Sequence, residues 1–236
     1  MIKEAIEKIE AMAATQTFEV DGSKYTSKGL FPLLDPQPCI LKIDTLTGFI
    51  DYIQADIDKL PIPDGLLVHI LDHLNVFLIS SLTGGFRQRS TYILATTRTA
   101  PFPFGQFMDV ESFIIGMQSM FVQDEATADI LKIVGNVGDG WVRTFADDGV
   151  TQQATVKTGV SRMEDIKVPN PVELAPYRTF LEIEQPKSKF VFRMRSGEKA
   201  PTCALFEADG GAWKNEVIVR IREWLKERVR GISIIA

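Results

Sequence analysis

Between Leu66 and Thr97 three short runs follow one another, Leu66–Leu71, Val76–Leu82 and Thr91–Thr97, each rich in apolar and β-branched residues. They are joined by Asp72–Asn75 and by the Gly84-Gly85 turn, so the runs predict strands with mostly antiparallel neighbours. Just upstream, Ile40–Ile43 reads as a further short strand. Behind Thr45 or Thr47 as cap, Leu46, Phe49, Ile50, Ile53 and Ile57 then recur at helical spacing. Pro61-Ile62-Pro63-Asp64-Gly65 stops that helix. A β-α-β-β-β block in this order belongs to the α+β class.

The flanking segments fit the same class. Ile2, Ile6, Ile9 and Ala13 make an amphipathic helix, and Thr17–Val20 and Lys24–Thr26 flank Asp21-Gly22, a dipeptide suited to a tight hairpin turn. Three prolines between Phe31 and Pro38 mark an extended connector. After Pro101-Phe102-Pro103-Phe104-Gly105, the stripe Val110, Phe113, Ile114, Met117, Met120 and Phe121 predicts a helix capped by Asp109. A second helix, Glu125–Val134, turns Ile130, Leu131 and Val134 inward and stops at Gly135, which makes a helical hairpin. Strands are predicted at Trp141–Ala146 and Thr151–Val160 around the Asp147-Asp148-Gly149 turn, then at Tyr177–Ile183, Lys189–Arg195 and Cys203–Ala208. A last helix presents Trp213, Val217, Ile221, Trp224 and Leu225 on one face. The organisation expected is an N-terminal helix, hairpin and connector over residues 1–38, then one composite α+β unit over 39–236 with a subdivision point near 100–105. Its sheets are mixed and mostly antiparallel.

Composition narrows the functions. A net charge of −5 and a pI near 5.2 oppose a broad DNA-binding footprint, which needs a stripe of Lys and Arg. Apolar runs such as Val76–Ser80 fall far short of the roughly 20 residues of a spanning helix. The opening MIKEAIEKIEAM places acids inside its apolar pattern, unlike a secretory signal. Two cysteines, Cys39 and Cys203, far apart and without metal-ligand spacing, fit a reducing cytoplasm as buried or half-buried thiols; a disulfide between them stays open.

The chemistry-bearing motifs are few. His69 and His73 stand four apart with Asp72 between them, a ligand spacing on a helix but not on the strand and turn read here, so no metal is expected. There is no G-x-S-x-G elbow, no Walker-type loop and no G-x-G-x-x-G after a strand, and two histidines leave little room for a catalytic base. Gly135–Gly140 (GNVGDG) reads as a helix stop. Two acidic, glycine-bearing stretches stand open between site and turn: Asp147 with Asp148, and Glu207 with Asp209 in FEADGG, where Asp209 suits the approach to a helix.

Arginines give the better lead. Arg193 and Arg195 alternate with Phe192 and Met194 and must leave a strand on one face, with Arg178 expected beside them across the hairpin. Arg87 and Arg89 form another basic spot next to Gly84-Gly85. Forked guanidinium groups in these positions suit phosphate or carboxylate recognition, a phosphorylated small molecule among them, while exposed Arg on a sheet is more commonly solvated surface.

Taken together, TLTGFIDYI, PFGQFMDVESFIIGMQSMFV, ILKIVGN, DDGVTQQATVKTG, PNPVELAPYRTFLEIEQPKSKFVFRM and ALFEADGGAW resemble an uncharacterised family of bacteriophage and prophage proteins of the YfdQ-like kind, from about Leu41 to Leu225. The resemblance implies a context, the cytoplasm of an infected bacterial host, and transfers no catalytic residue. The function expected is therefore non-enzymatic: a counter-defence factor that sequesters a nucleotide-type signal or binds a host defence protein. The alternative is an accessory factor of phage DNA replication or recombination that binds nucleic acid or a DNA-processing partner. No cofactor is expected. A homo-oligomer is expected from the apolar helix stripes and from the apolar tail Gly231–Ala236, with nucleic acid the less favoured partner and no membrane.

Overall fold

The computed structural model describes residues 2–20, 23–28, 37–60, 65–83, 87–139, 141–147, 152–158, 162–167, 170–195 and 201–236. The Asp21-Gly22 and Gly84-Gly85 turns, most of the proline-rich connector, the Pro61–Asp64 stop, and Asp148, Gly149, Thr151 and Val160 lie outside them. Two compact units are present, Met1–Gln37 and Pro38–Ala236.

The first unit holds α1 (Ile2–Ala13) and a hairpin of β1 (Thr17–Val20) and β2 (Ser23–Thr26). Lys28 donates its ammonium to the Ala13 carbonyl, and the Gln16 amide donates to Ser27 Oγ at 2.9 Å, which joins the end of the helix to the hairpin. No residue of α1 is buried.

The second unit carries two cores. The five-stranded sheet has the order β14-β4-β5-β6-β3, from β3 (Leu41–Ile43), β4 (Leu66–Ile70), β5 (Asn75–Ser80), β6 (Thr91–Thr96) and β14 (Ser233–Ile235). Its central pairs are antiparallel, whereas β3 joins β6 and β14 joins β4 in parallel. Leu66, Val68, Ile70, Val76, Leu78, Ile93 and Ala95 share the buried face, the alternation that a pleated strand imposes. Two helices supply much of the rest of that core, with Phe180, Ile183, Val229 and Ile232 added from outside them. α2 (Leu46–Ala55) gives Leu46, Phe49 and Ile50, and α5 (Trp213–Arg228) gives Trp213, Val217, Ile221 and Leu225. Thr45 caps α2 by accepting from the Gly48 amide at 3.1 Å, and Asp56 ends it in the left-handed conformation at φ 44°. That early stop leaves Ile57 off the helix face and 68 % exposed, contrary to the sequence reading.

The second core lies between a four-stranded antiparallel sheet and the predicted helical hairpin. The sheet runs β11-β12-β13-β7, from β7 (Met108–Asp109), β11 (Val172–Leu174), β12 (Ser188–Arg195) and β13 (Thr202–Glu207). α3 (Val110–Met120) and α4 (Glu125–Asp139) cover it with Phe113, Met117, Ile130 and Val134. Asp109 is the N-cap of α3, accepting from the Ser112 amide at 2.9 Å. α4 does not stop at Gly135; it continues through Asp139, so most of GNVGDG is helix, the cost of an interior glycine being only about 1 kcal/mol. A three-stranded antiparallel sheet, β10-β9-β8, is made of β8 (Trp141–Asp147), β9 (Gln152–Thr158) and β10 (Arg162–Lys167).

Two corrections concern the last third. Tyr177–Ile183 is loop and turn, not strand. One side chain meets three of its backbone groups: Gln185 accepts from the Arg178 amide at 3.0 Å and donates to the carbonyls of Phe180 and Ile183 at 3.1 and 3.0 Å, while the Tyr177 amide donates to the Met120 carbonyl at 2.8 Å. The tail expected to seek a partner is instead β14 in the chain's own sheet, with Ile232 buried. The class is α+β, with mixed and mostly antiparallel sheets.

Candidate functional site

The FEADGG stretch resolves first. Glu207 ends β13, and Asp209 Oδ1 accepts from the Gly211 amide at 3.0 Å, closing a turn in which Gly210 and Gly211 take φ of 63° and 81°. Positive φ at both positions is what glycine supplies cheaply. Asp209 is thus a turn former and not the helix cap; Ala212 occupies the N-cap position, without a side-chain bond.

Glu207 pairs with Arg178 at 3.0 Å. Arg178 is buried, and its fork also donates to Ser188 Oγ at 2.6 Å and to the Pro186 carbonyl at 3.4 Å. Its guanidinium carbon lies 3.7 Å from the centroid of Trp213 and 5.8 Å from that of Phe190. Burial pulls its pKa down to about 10, against the pull of Glu207 and Asp209, and the group stays charged at neutral pH. Among the described residues, Arg178 Nε and Trp213 Nε1 find no hydrogen-bond partner, consistent with a cation held by ring faces. The expectation that Arg178 joins Arg193 and Arg195 fails. Ser188, Phe190 and Phe192 lie on the buried face of β12, where Arg178 packs, while Arg193 and Arg195 leave on the other face.

His73 closes the turn between β4 and β5, edge-on to Trp213 with centroids 4.8 Å apart. Asp72 spends its carboxylate on that turn, accepting from the Leu74 amide at 2.7 Å and the Asn75 amide side chain at 3.1 Å. His69, on β4, faces Phe77 at 6.4 Å. No group of three metal-ligating side chains forms among the described residues. Burial holds the His73 pKa below the ordinary imidazole value; Asp72 opposes this, and Lys214 and Arg178 add to it. The unfolded imidazole, near 6.5, therefore binds a proton before the folded one does, so stability is present above about pH 6.5 and is lost as pH falls through the folded value. Thermal melts from about pH 7 to about pH 5 are expected to drop less for His73→Gln than for the wild type.

Of the other residues, Arg89 donates to the Ser80 carbonyl at 2.8 Å beside β5, and Arg87 sits exposed with φ of 51°. Cys203 is buried and its thiol pushed up to about 12 by desolvation, whereas Cys39 is exposed, not half-buried as expected; both are free.

Among the described residues, a concavity beside α3 has the size of a ligand site. Between the segment 102–108 and α3 lies a cavity of about 370 Å³, within the common range for small-molecule sites. Phe102, Phe107, Met108, Ile115, Gly116 and Met120 make it mostly apolar. Its shape follows from sequence: the segment turns at Phe104-Gly105, where Gly105 takes φ of 76° and the Gln106 amide reaches the Pro103 carbonyl, the Gly105 amide ties it to the Leu205 carbonyl at 2.8 Å, and Gly116 has no Cβ to meet Phe102. A Cβ there would lie 2.8 Å from Phe102 Cε2. At the rim, Phe107 carries Arg195 over its ring at 3.7 Å and packs on Phe206 at 6.0 Å.

Three side chains lining the cavity carry polar atoms, and their geometry limits what they can do. Ser112 Oγ lies 2.7 Å from Asp109 Oδ2, and Ser119 Oγ lies 2.7 Å from the Ile115 carbonyl. Hydrogen bonds from Ser112 hold the Asp109 carboxyl below its ordinary range, so this carboxylate can only accept, as can a carbonyl. Both serine protons are therefore committed, and both oxygens can only accept from a ligand. Gln106, the third, can donate and accept. The sequence reading found Arg195 but missed this wall; its one visible signal was the density of aromatics in PFPFGQF next to a glycine inside a helix.

Comparison with protein families, curated proteins and solved structures finds no match to this chain. Among the described residues no helix is long and apolar enough to cross a membrane.

Proposed function

We propose that the chain is a non-enzymatic binding protein that holds a nucleotide-type molecule, its ring in the cavity beside α3 and its phosphate at Arg195. In the phage context that the sequence resembles, the role is sequestration of such a signal as counter-defence. The observation that carries the reading is that one aromatic ring, Phe107, is both cavity wall and platform for a guanidinium. A flat apolar ring fits the first side, and a phosphate suits the second through charge-assisted bonds. Arg193 leaves β12 on the same face. The acceptor-only hydroxyls of Ser112 and Ser119 favour a ring edge bearing N–H donors, as a nucleobase does, over a bare hydrocarbon ring.

Isothermal titration with adenosine monophosphate, adenosine and phenyl phosphate tests this. The nucleotide is expected to bind tightest of the three, and Arg195→Gln is expected to weaken it about tenfold with an unchanged melting temperature. Equal affinity for adenosine and its monophosphate removes the role of Arg195, and no binding of any of the three overturns the reading. Oligonucleotides binding far more tightly than the mononucleotide move the assignment to the DNA-accessory role.

A further inference from the structure

We infer that Ser119 makes the site selective for a base with an exocyclic amino group, as in adenine, by accepting from that group at the end of the cavity remote from Arg195. The inference rests on the nucleotide reading above and adds to it the identity of the base edge. The two walls of the cavity run in opposite directions. Phe102 lies against Gly116, whereas Met108 leads through Asp109 straight into the first turn of α3. Phe107, with the Arg195 guanidinium 3.7 Å from its ring centroid, therefore stands at the Ser112 end. Ser119 lines the same cavity seven residues further along the helix, two turns or about 10 Å away on the same face. A nucleotide anchored by its phosphate at Arg195 thus turns the far edge of its base toward Ser119. In a purine nucleotide that edge carries the exocyclic substituent of the six-membered ring, an amino group in adenine and a carbonyl oxygen in hypoxanthine.

The chemistry at Ser119 chooses between these two. Its hydroxyl lies 2.7 Å from the Ile115 carbonyl, the bond that a helical serine makes one turn back. A carbonyl can only accept, so the proton is spent there and the lone pairs of Oγ are left for the ligand. An amino group donates to that oxygen with nothing rearranged. A carbonyl oxygen would stand oxygen against oxygen, or would draw the proton off Ile115 and break a bond already made. The helix acts in the same sense. Ser119 lies in the last turn of α3, where the dipole is negative, which favours a polarised N–H over a carbonyl oxygen. Gln106, which could donate to such an oxygen, adjoins Phe107 in the chain and so belongs to the Arg195 end.

Titration of the full chain with adenosine monophosphate, purine riboside monophosphate and inosine monophosphate tests the assignment, since the second lacks the amino group and the third has a carbonyl in its place. Adenosine monophosphate is expected to bind several-fold more tightly than either of the others. Ser119→Ala is expected to lower its affinity to that of purine riboside monophosphate, whose own affinity stays as it was. The melting temperature is expected to hold, because alanine suits an exposed helix position. Ser119→Thr keeps a hydroxyl within reach of the Ile115 carbonyl and is expected to keep the preference. The inference alone is overturned by equal binding of adenosine and purine riboside monophosphates, by tighter binding of inosine monophosphate, or by a Ser119→Ala chain that keeps the preference; the nucleotide reading survives each of these. No binding of any of the three removes that reading and this inference together.

Discussion

Arg178→Ala is expected to lower the unfolding free energy by about 3 kcal/mol, one of the two largest effects in this chain. The size comes from what the side chain does inside the protein, not from its ion pair. Glu207 is 39 % exposed, so it can be rehydrated when its partner leaves, and a pair of that kind contributes about 1 kcal/mol or less. The remainder is the loss of a guanidinium between the Trp213 and Phe190 rings and of its bonds to Ser188 and Pro186, which leaves a void at a buried position. Arg178→Met, which keeps the aliphatic body, is expected to recover about half of the loss. Glu207→Gln is expected to cost about 1 kcal/mol at most. Urea unfolding measures all three. A Glu207→Gln loss as large as that of Arg178→Ala would mean that the charge pair, and not the packing, holds the site.

Gly116→Leu is expected to destabilise by about 3 kcal/mol and to abolish ligand uptake in the cavity beside α3. Even a methyl group at this position meets Phe102 at 2.8 Å. Phe102 packs on Phe104, Phe113 and Phe121 with centroids between 5.1 and 5.9 Å apart, so yielding to the new side chain would break those contacts or push the ring into the cavity it lines. The gain in helix propensity on replacing glycine, about 1 kcal/mol, does not offset that clash. Urea midpoints for stability and titration for uptake separate the two consequences. A Gly116→Leu chain of wild-type stability would show that Phe102 can yield, and that the cavity is softer than its ring contacts imply.

The parts of this fold that were legible in the sequence are those decided locally. Thr45 and Asp109 cap helices because a short oxygen-bearing side chain sits just ahead of an apolar period, and that signal needs no tertiary information. The alternation in Leu66–Ile70 and Asn75–Ser80 likewise reports a one-sided sheet. Gly135 misled because a glycine past an apolar period looks like a stop, yet the helix runs on to Asp139. Tyr177–Ile183 is rich in the aromatic and β-branched residues that strands use, but Gln185, outside the run, takes up the Arg178 amide and the Phe180 and Ile183 carbonyls, so the run closes on itself as loop and turn. β14 was illegible for a different reason: its partner β4 is remote in sequence, and a short apolar tail carries no mark of parallel pairing. At the candidate site, strand periodicity put Arg193 and Arg195 on one face. It could not separate Arg178 from them, since the layer a loop residue enters is set by packing.

The place of Arg178 has a mechanical consequence. Trp213 belongs to the core under the five-stranded sheet and Phe190 to the core under the four-stranded one, so a single cation touches both. Sliding α5 across β12 would separate the two rings, so the cation would either leave Trp213 or stretch its bonds to Ser188 and Glu207 in following it. The seam between the two layers is therefore stiff. The cavity beside α3 is walled by the segment 102–108, which the Gly105 amide ties to Leu205 of β13, so that wall hangs from the same four-stranded sheet that Arg178 grips through Ser188.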